Sequence, residues 1–168
     1  MNEPSEIKGW LTGRVPDEWF TEAPEIVVDK DEILVVGRIP EVPVSEGTDP
    51  DAAREGAIKR FREETREARM RIAEEAQRKF GRHVSWGARS GDTGRLFTHL
   101  SVPVMTRLRI KERLLLDALV QAGVARSRSH ALAWCVRLVA EHQGDWIEEL
   151  KDAMSQLERV RGQGPKLH

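Results

Sequence analysis

Cysteine is almost absent from this chain of 168 residues, and Cys135, standing alone, excludes an intrachain disulfide and a thiolate metal cluster. It falls in an apolar helical run, where a free thiol behaves as a small core hydrophobe rather than an activated nucleophile. No apolar run approaches the ~20 residues that cross a bilayer. The opening, Met1 to Glu6, has neither the basic nor the apolar region of a secretory signal. His83, His99, His130, His142 and His168 lack the i,i+4 pairing of a zinc site, so no metal is expected. Gly87, Gly91 and Gly94 bracket a turn, but no Lys-Ser/Thr follows and strand-like sequence comes next, so a phosphate loop is excluded. The acids lie in helical pairing patterns or turns, and no catalytic constellation assembles from them. The expectation is a cytoplasmic, non-enzymatic protein without cofactor.

Charge is uneven rather than scarce. The whole chain is near neutral, at -1, which by itself argues against a generic nucleic-acid binder. Residues 1–80 hold 13 Lys/Arg and 19 Asp/Glu, whereas residues 81–141 hold 10 against 4. A basic block behind an acidic one points to an anionic partner.

The pattern of elements predicts an α+β protein, mainly helical. Residues 1–48 read as an irregular arm with apolar anchors (Trp10, Leu11, Val15, Trp19, Phe20), then a small hairpin over 25–28 and 33–39 and a loop. Asp49-Pro50 supplies an N-cap and an N1 proline for one long amphipathic helix over 49–81, which Gly81 can close. Ile58, Phe61, Thr65, Ala68, Ile72, Ala76 and Phe80 form its narrow apolar stripe. Glu55–Lys59, Glu67–Arg71, Glu74–Arg78 and Glu75–Lys79 are i,i+4 pairs on its charged faces. Such a stripe suits packing on one neighbour, on a second copy, or across the helix's own domain.

Residues 82–142 read as a second hairpin, over 83–89 and 95–100, leading into the segment with the clearest message. In Val104-Met105-Thr106-Arg107-Leu108-Arg109-Ile110 the apolar Val104, Leu108 and Ile110 share one strand face with Thr106, and Met105, Arg107 and Arg109 share the other. From Lys111 the run Leu115, Leu116, Leu119, Val120 returns at helical spacing and stops at Gly123, a natural C′ residue. Ser127 can cap a second helix, whose start gathers Arg126 and Arg128 beside free N–H groups and a positive dipole end. That helix buries some combination of Leu132, Cys135, Val136, Leu138 and Val139. A capping box at Asp145–Glu148 opens a C-terminal helix over 143–161, with Trp146, Leu150, Ala153, Met154, Leu157 and Val160 on one face. Residues 162–168 read as a disordered tail.

The strand, the helix ending at Gly123 and the Ser127-Arg128-Ser129 opening, about 102–142, resemble the ribbon-helix-helix family, the Arc and MetJ superfamily of bacterial repressors. In that family two chains pair their strands into an antiparallel ribbon that enters the major groove. The resemblance implies an obligate homodimer in which Met105, Arg107 and Arg109 read base edges and Arg126, Ser127, Arg128 and Ser129 hold phosphates. The connection after Gly123 is longer than usual there, and His130 stands where an acidic residue is common. The function implied is a sequence-specific, nucleoid-associated transcriptional regulator. A protein-interaction module, antitoxin-like or an adaptor, and an RNA- or ribosome-associated factor are the alternatives. The acidic first eighty residues, larger than a bare repressor requires, are expected to bind a protein partner, add a dimer contact or shield the basic face.

Overall fold

The computed structural model describes residues 4–163, and of Glu158 and Arg161 the backbone alone. It divides into two compact units, Met1–Pro103 and Val104–His168. The protein is α+β, with six α-helices and one four-stranded sheet among the described residues.

The first unit begins with α1 (Pro4–Arg14) and a short 3-10 turn (Asp17–Trp19). The expected irregular arm is therefore a helix. Its apolar residues recur at helical spacing, and Ile7, Leu11, Val15 and Trp19 are all buried. Gly9 and Gly13 weaken its intrinsic propensity, and packing overrides them. Strands β1 (Glu25–Val28) and β2 (Glu32–Arg38) form the first hairpin. Its turn is fixed by Asp29, whose carboxylate accepts the N–H groups of Asp31 (2.8 Å) and Glu32 (2.7 Å). Those bonds hold the Asp29 carboxyl below its ordinary value.

The predicted single helix over 49–81 is two. The Asp49 carboxylate caps α2 (Pro50–Glu64) by accepting from the Asp51 N–H, and α3 (Arg66–Phe80) ends on Gly81 at φ 70°. Between them Thr65 sits at φ -94°, ψ 0°. Its hydroxyl donates to the Phe61 carbonyl at 2.6 Å and accepts from Arg69 Nε at 2.9 Å. Back-bonding of this kind competes with the helical ladder and bends it. The charged faces also pair differently from the i,i+4 expectation: Glu55 turns to Arg95, Glu75 to Arg14, and Lys79 to Glu6.

Strand β3 (His83–Ser90) pairs parallel with β2, and β4 (Thr93–Leu96) closes the second hairpin on β3, giving the order β1-β2-β3-β4. The second arm of that hairpin is shorter than the 95–100 expected. A parallel neighbour demands a crossover, and α2 with α3 is that crossover. One sheet face carries Ile33, Val35, Val84 and Trp86, which pack with Ile7 and Leu11 of α1 and Ile72 and Ala76 of α3. Position 37 continues that face and is glycine because the Phe20 ring occupies the Cβ position; a Cβ there would sit 2.2 Å from Phe20 Cδ1. Toward α2 the core continues through Ile39, Ala57, Ile58 and Ala88, with Phe61 and Phe97 half-buried against it.

The second unit holds α4 (Ile110–Gln121), α5 (Arg128–His142) and α6 (Gly144–Gln163). Its buried cluster is small: Leu116, Ala125 and Ala131, with Leu108, Leu119, Val120, Leu132 and Cys135 partly buried around them. Of the residues expected to be buried along α5, Val136, Leu138 and Val139 are exposed. The final helix reaches Gln163, two residues into the expected tail, and 164–168 lie outside the described residues.

Candidate nucleic-acid interface

The site residues suggested by the sequence all belong to the second unit, along residues 104–109 and the start of α5. Residues 104–109 form no strand within the chain, which corrects the sequence reading; α4 takes Ile110 as its first residue. A ladder needs a neighbouring strand, and this segment has none among the described residues. Arg109 precedes α4 with extended backbone, at φ -80° and ψ 174°. Val104 and Met105 are 87% and 95% exposed, whereas Leu108 tucks into the small core. Arg107 and Arg109 both face solvent. Arg113 steadies the segment from α4 by donating to the Leu108 carbonyl at 2.6 Å.

The turn between α4 and α5 follows local rules closely. Gly123, at φ 77°, takes the left-handed conformation that a helix terminus needs. Its N–H donates to the Val120 carbonyl (3.1 Å) and the Val124 N–H to the Leu119 carbonyl (3.0 Å), the two bonds of a Schellman motif. Ser127 then caps α5, accepting the His130 N–H at 3.2 Å. His130 reciprocates toward the loop, its Nδ1 accepting the Arg126 N–H at 3.2 Å. An imidazole thus does work that an acidic side chain does in a capping box.

Around a hollow of about 370 Å³ the fold brings Met105 together with Arg128 and Ser129, with Leu108, Arg113 and Leu116 in its walls. Arg107, Arg109 and Arg126 do not line it. Arg128 is also committed elsewhere: its Nε and Nη2 donate to the two carboxylate oxygens of Asp117, each at 2.6 Å. The bidentate pair holds the Asp117 carboxyl below its ordinary range and raises Arg128 above its own. Asp117 was missed by the sequence reading, since it lies on α4, eleven residues before its partner. No group of His, Cys, Asp and Glu able to hold a metal occurs among the described residues, and no described helix is long and apolar enough to cross a membrane.

Comparison with other proteins also marks two stretches of the chain. Residues 5–96 match the family described as the Rv1265-like protein, N-terminal domain, and residues 109–161 match the Mb1296 C-terminal domain. The chain belongs to the Rv1265-like family. It is 52% identical over 159 residues to the uncharacterized protein Rv1265 of Mycobacterium tuberculosis and to the uncharacterized protein Mb1296 of Mycobacterium bovis, spanning 94% of this chain and 70% of each relative. No ribbon-helix-helix family is among the matches. No solved structure matches the chain.

Proposed function

We propose that the chain is a sequence-specific DNA-binding transcriptional regulator that acts as a homodimer, two copies pairing residues 104–110 into an antiparallel ribbon for the major groove. The observation that carries the reading is the state of residues 104–109: outside every helix and strand of the described residues, with Arg109 extended, and presenting Val104 and Met105 almost fully to solvent directly ahead of α4. The rest of the second unit supports it. Leu114, Leu115, Val136 and Val139 are each more than half exposed around a core of only three buried residues. Apolar groups left out on this scale call for a partner surface, and a second copy of the same unit offers complementary faces.

In that dimer Arg107 and Arg109 donate to base edges, guanine O6 and N7 being their best acceptors, with Met105 adding apolar contact. Arg126, Ser127 and Ser129 fix register on phosphates, using side chains and the first-turn N–H groups of α5. Arg128 joins them when it exchanges Asp117 for a phosphate.

The Arg128–Asp117 pair is also the one observation favouring the second reading, a protein-interaction module. A guanidinium already satisfied by a carboxylate suits a surface whose partners are carboxylates. Fluorescence anisotropy on labelled DNA from the protein's own upstream region separates the two, with random DNA as competitor. Competitor-resistant binding that is lost in Arg107→Ala/Arg109→Ala is the expected result. Binding erased by random DNA equally in both proteins would sink the DNA-reading ribbon.

A further inference from the structure

The first unit carries a cation cluster that its own fold leaves uncompensated. Lys59, Arg62, Arg66 and Arg69 follow one another at spacings of three, four and three, so they share one face of the consecutive helices α2 and α3. They line a hollow of about 530 Å³ together with Phe97 and Thr98. None of the four forms an ion pair among the described residues, although several neighbouring arginines do. The one acid in the wall, Glu63, leaves the hollow with a clear positive surplus.

Arg69 is the telling member. It is only 7% exposed, and buried arginines are ordinarily paired with an acid. Its Nε donates to Thr65 Oγ1 and its Nη2 to the Arg62 carbonyl at 2.6 Å, while the guanidinium lies 4.8 Å from the Phe97 ring centre. Two of its five N–H donors are thereby used, and none reaches a carboxylate. Burial, with Arg62 and Arg66 nearby, pulls its pKa down to about 10. A protein that spends burial on an unpaired cation, and props it with a threonine and a carbonyl, has built the positive half of an ion pair. A second hollow, about 470 Å³, shares Lys59, Arg62 and Phe97 and adds Ala52, Ile58 and Leu96, together with Glu55, whose charge is met by Arg95. Both volumes fall in the ~300–1,000 Å³ range of small-molecule sites.

We propose that this groove is a binding site for the di- or triphosphate chain of a small phosphate ester, with the cation cluster on the phosphates and the Ala52, Ile58 and Leu96 side of the adjoining hollow on the organic body. Nucleoside di- and triphosphates have that charge and that division into parts. The site uses side chains, not a glycine loop, and it stands independently of the DNA-binding reading.

The test is calorimetric titration of the full chain, without magnesium, with ATP, tripolyphosphate, AMP and a single-stranded oligonucleotide. ATP should bind at least about tenfold tighter than AMP, because each added phosphate gains charge-assisted bonds. Tripolyphosphate equal to ATP assigns the site to the phosphate chain alone; ATP tighter than tripolyphosphate adds the adjoining hollow. Arg62→Ala/Arg66→Ala, both exposed, should keep the wild-type circular dichroism and lose about tenfold or more in ATP affinity. Arg60→Ala/Arg71→Ala, exposed outside the groove, and Arg107→Ala/Arg109→Ala should bind ATP as wild type does. ATP no tighter than AMP, no loss in Arg62→Ala/Arg66→Ala, or binding of the oligonucleotide alone would overturn the proposal.

Discussion

Asp117 and Arg128 face each other across the turn at Gly123, joined by two bonds of 2.6 Å. The pair ties α4 to the first turn of α5 and at the same time occupies an arginine that the DNA-binding reading assigns to a phosphate. Stability of the second unit and strength of phosphate contact therefore pull on one side chain. Asp117→Asn should free Arg128 and steepen the dependence of log K on log salt by about 1, the signature of one added phosphate contact. Anisotropy titrations at several salt concentrations read it directly; an unchanged slope would remove Arg128 from the interface.

The same pair sets a pH dependence. The folded Asp117 carboxyl lies below its ordinary 3.8, so the pair's contribution is present in full above that value. It is lost as pH falls below 3.8 through the depressed folded value. The gap in melting temperature between wild type and Asp117→Asn should stay constant above pH ~5 and close under further acidification. Glu75, held down by Arg14 in the first unit from an ordinary 4.5, should behave alike in Glu75→Gln.

Thr65→Val keeps the shape of the side chain and deletes only the hydroxyl that joins the Phe61 carbonyl to Arg69. Loss of a bond to a buried charged group should destabilise the chain by about 1–3 kcal/mol. Urea denaturation would show a lower midpoint at unchanged slope. A midpoint equal to wild type would mean that Arg69 is held by the Arg62 carbonyl and Phe97 alone.

Dimerisation has its own signature. Val104 is 87% exposed in a single chain, and substitutions at such sites usually change stability by no more than about 0.5 kcal/mol. In a paired ribbon the same position is covered. Wild type should therefore melt at a temperature that rises with protein concentration. Val104→Asp should keep its helical circular dichroism yet sediment as a monomer. A concentration-independent wild-type transition would rule the homodimer out.

Features set by neighbouring residues were legible in the sequence. The first hairpin, the Gly123 stop, the Ser127 cap and the Asp49-Pro50 start depend on a few adjacent groups, and each stands where its residues indicate. What depends on distant partners was not. Nothing local marks β2 and β3 as parallel neighbours, since their pairing is decided by the shared core of Ile33, Val35, Val84 and Trp86. The glycines of α1 disguised a helix that packing enforces. Thr65 fell in register with the apolar stripe and so looked like helix interior, whereas its backbone departs to φ -94°, ψ 0° and its hydroxyl serves Arg69. The burial of Arg69 had no local signal, because a linear reading cannot see Phe97 arriving from the end of β4. Asp117 went unnoticed for the same reason.

The parallel register of β2 and β3 also has a temporal side. Ile33 waits for Val84, fifty-one residues later in the chain, so the first hairpin leaves the ribosome with its inner edge open. Contacts this far apart slow folding, and an open edge invites pairing with other chains meanwhile. The edge is sealed only when β3, beyond the α2–α3 crossover, reaches β2. Chains cut short before residue 83 should collect as aggregates, whereas those that reach the second hairpin complete their sheet.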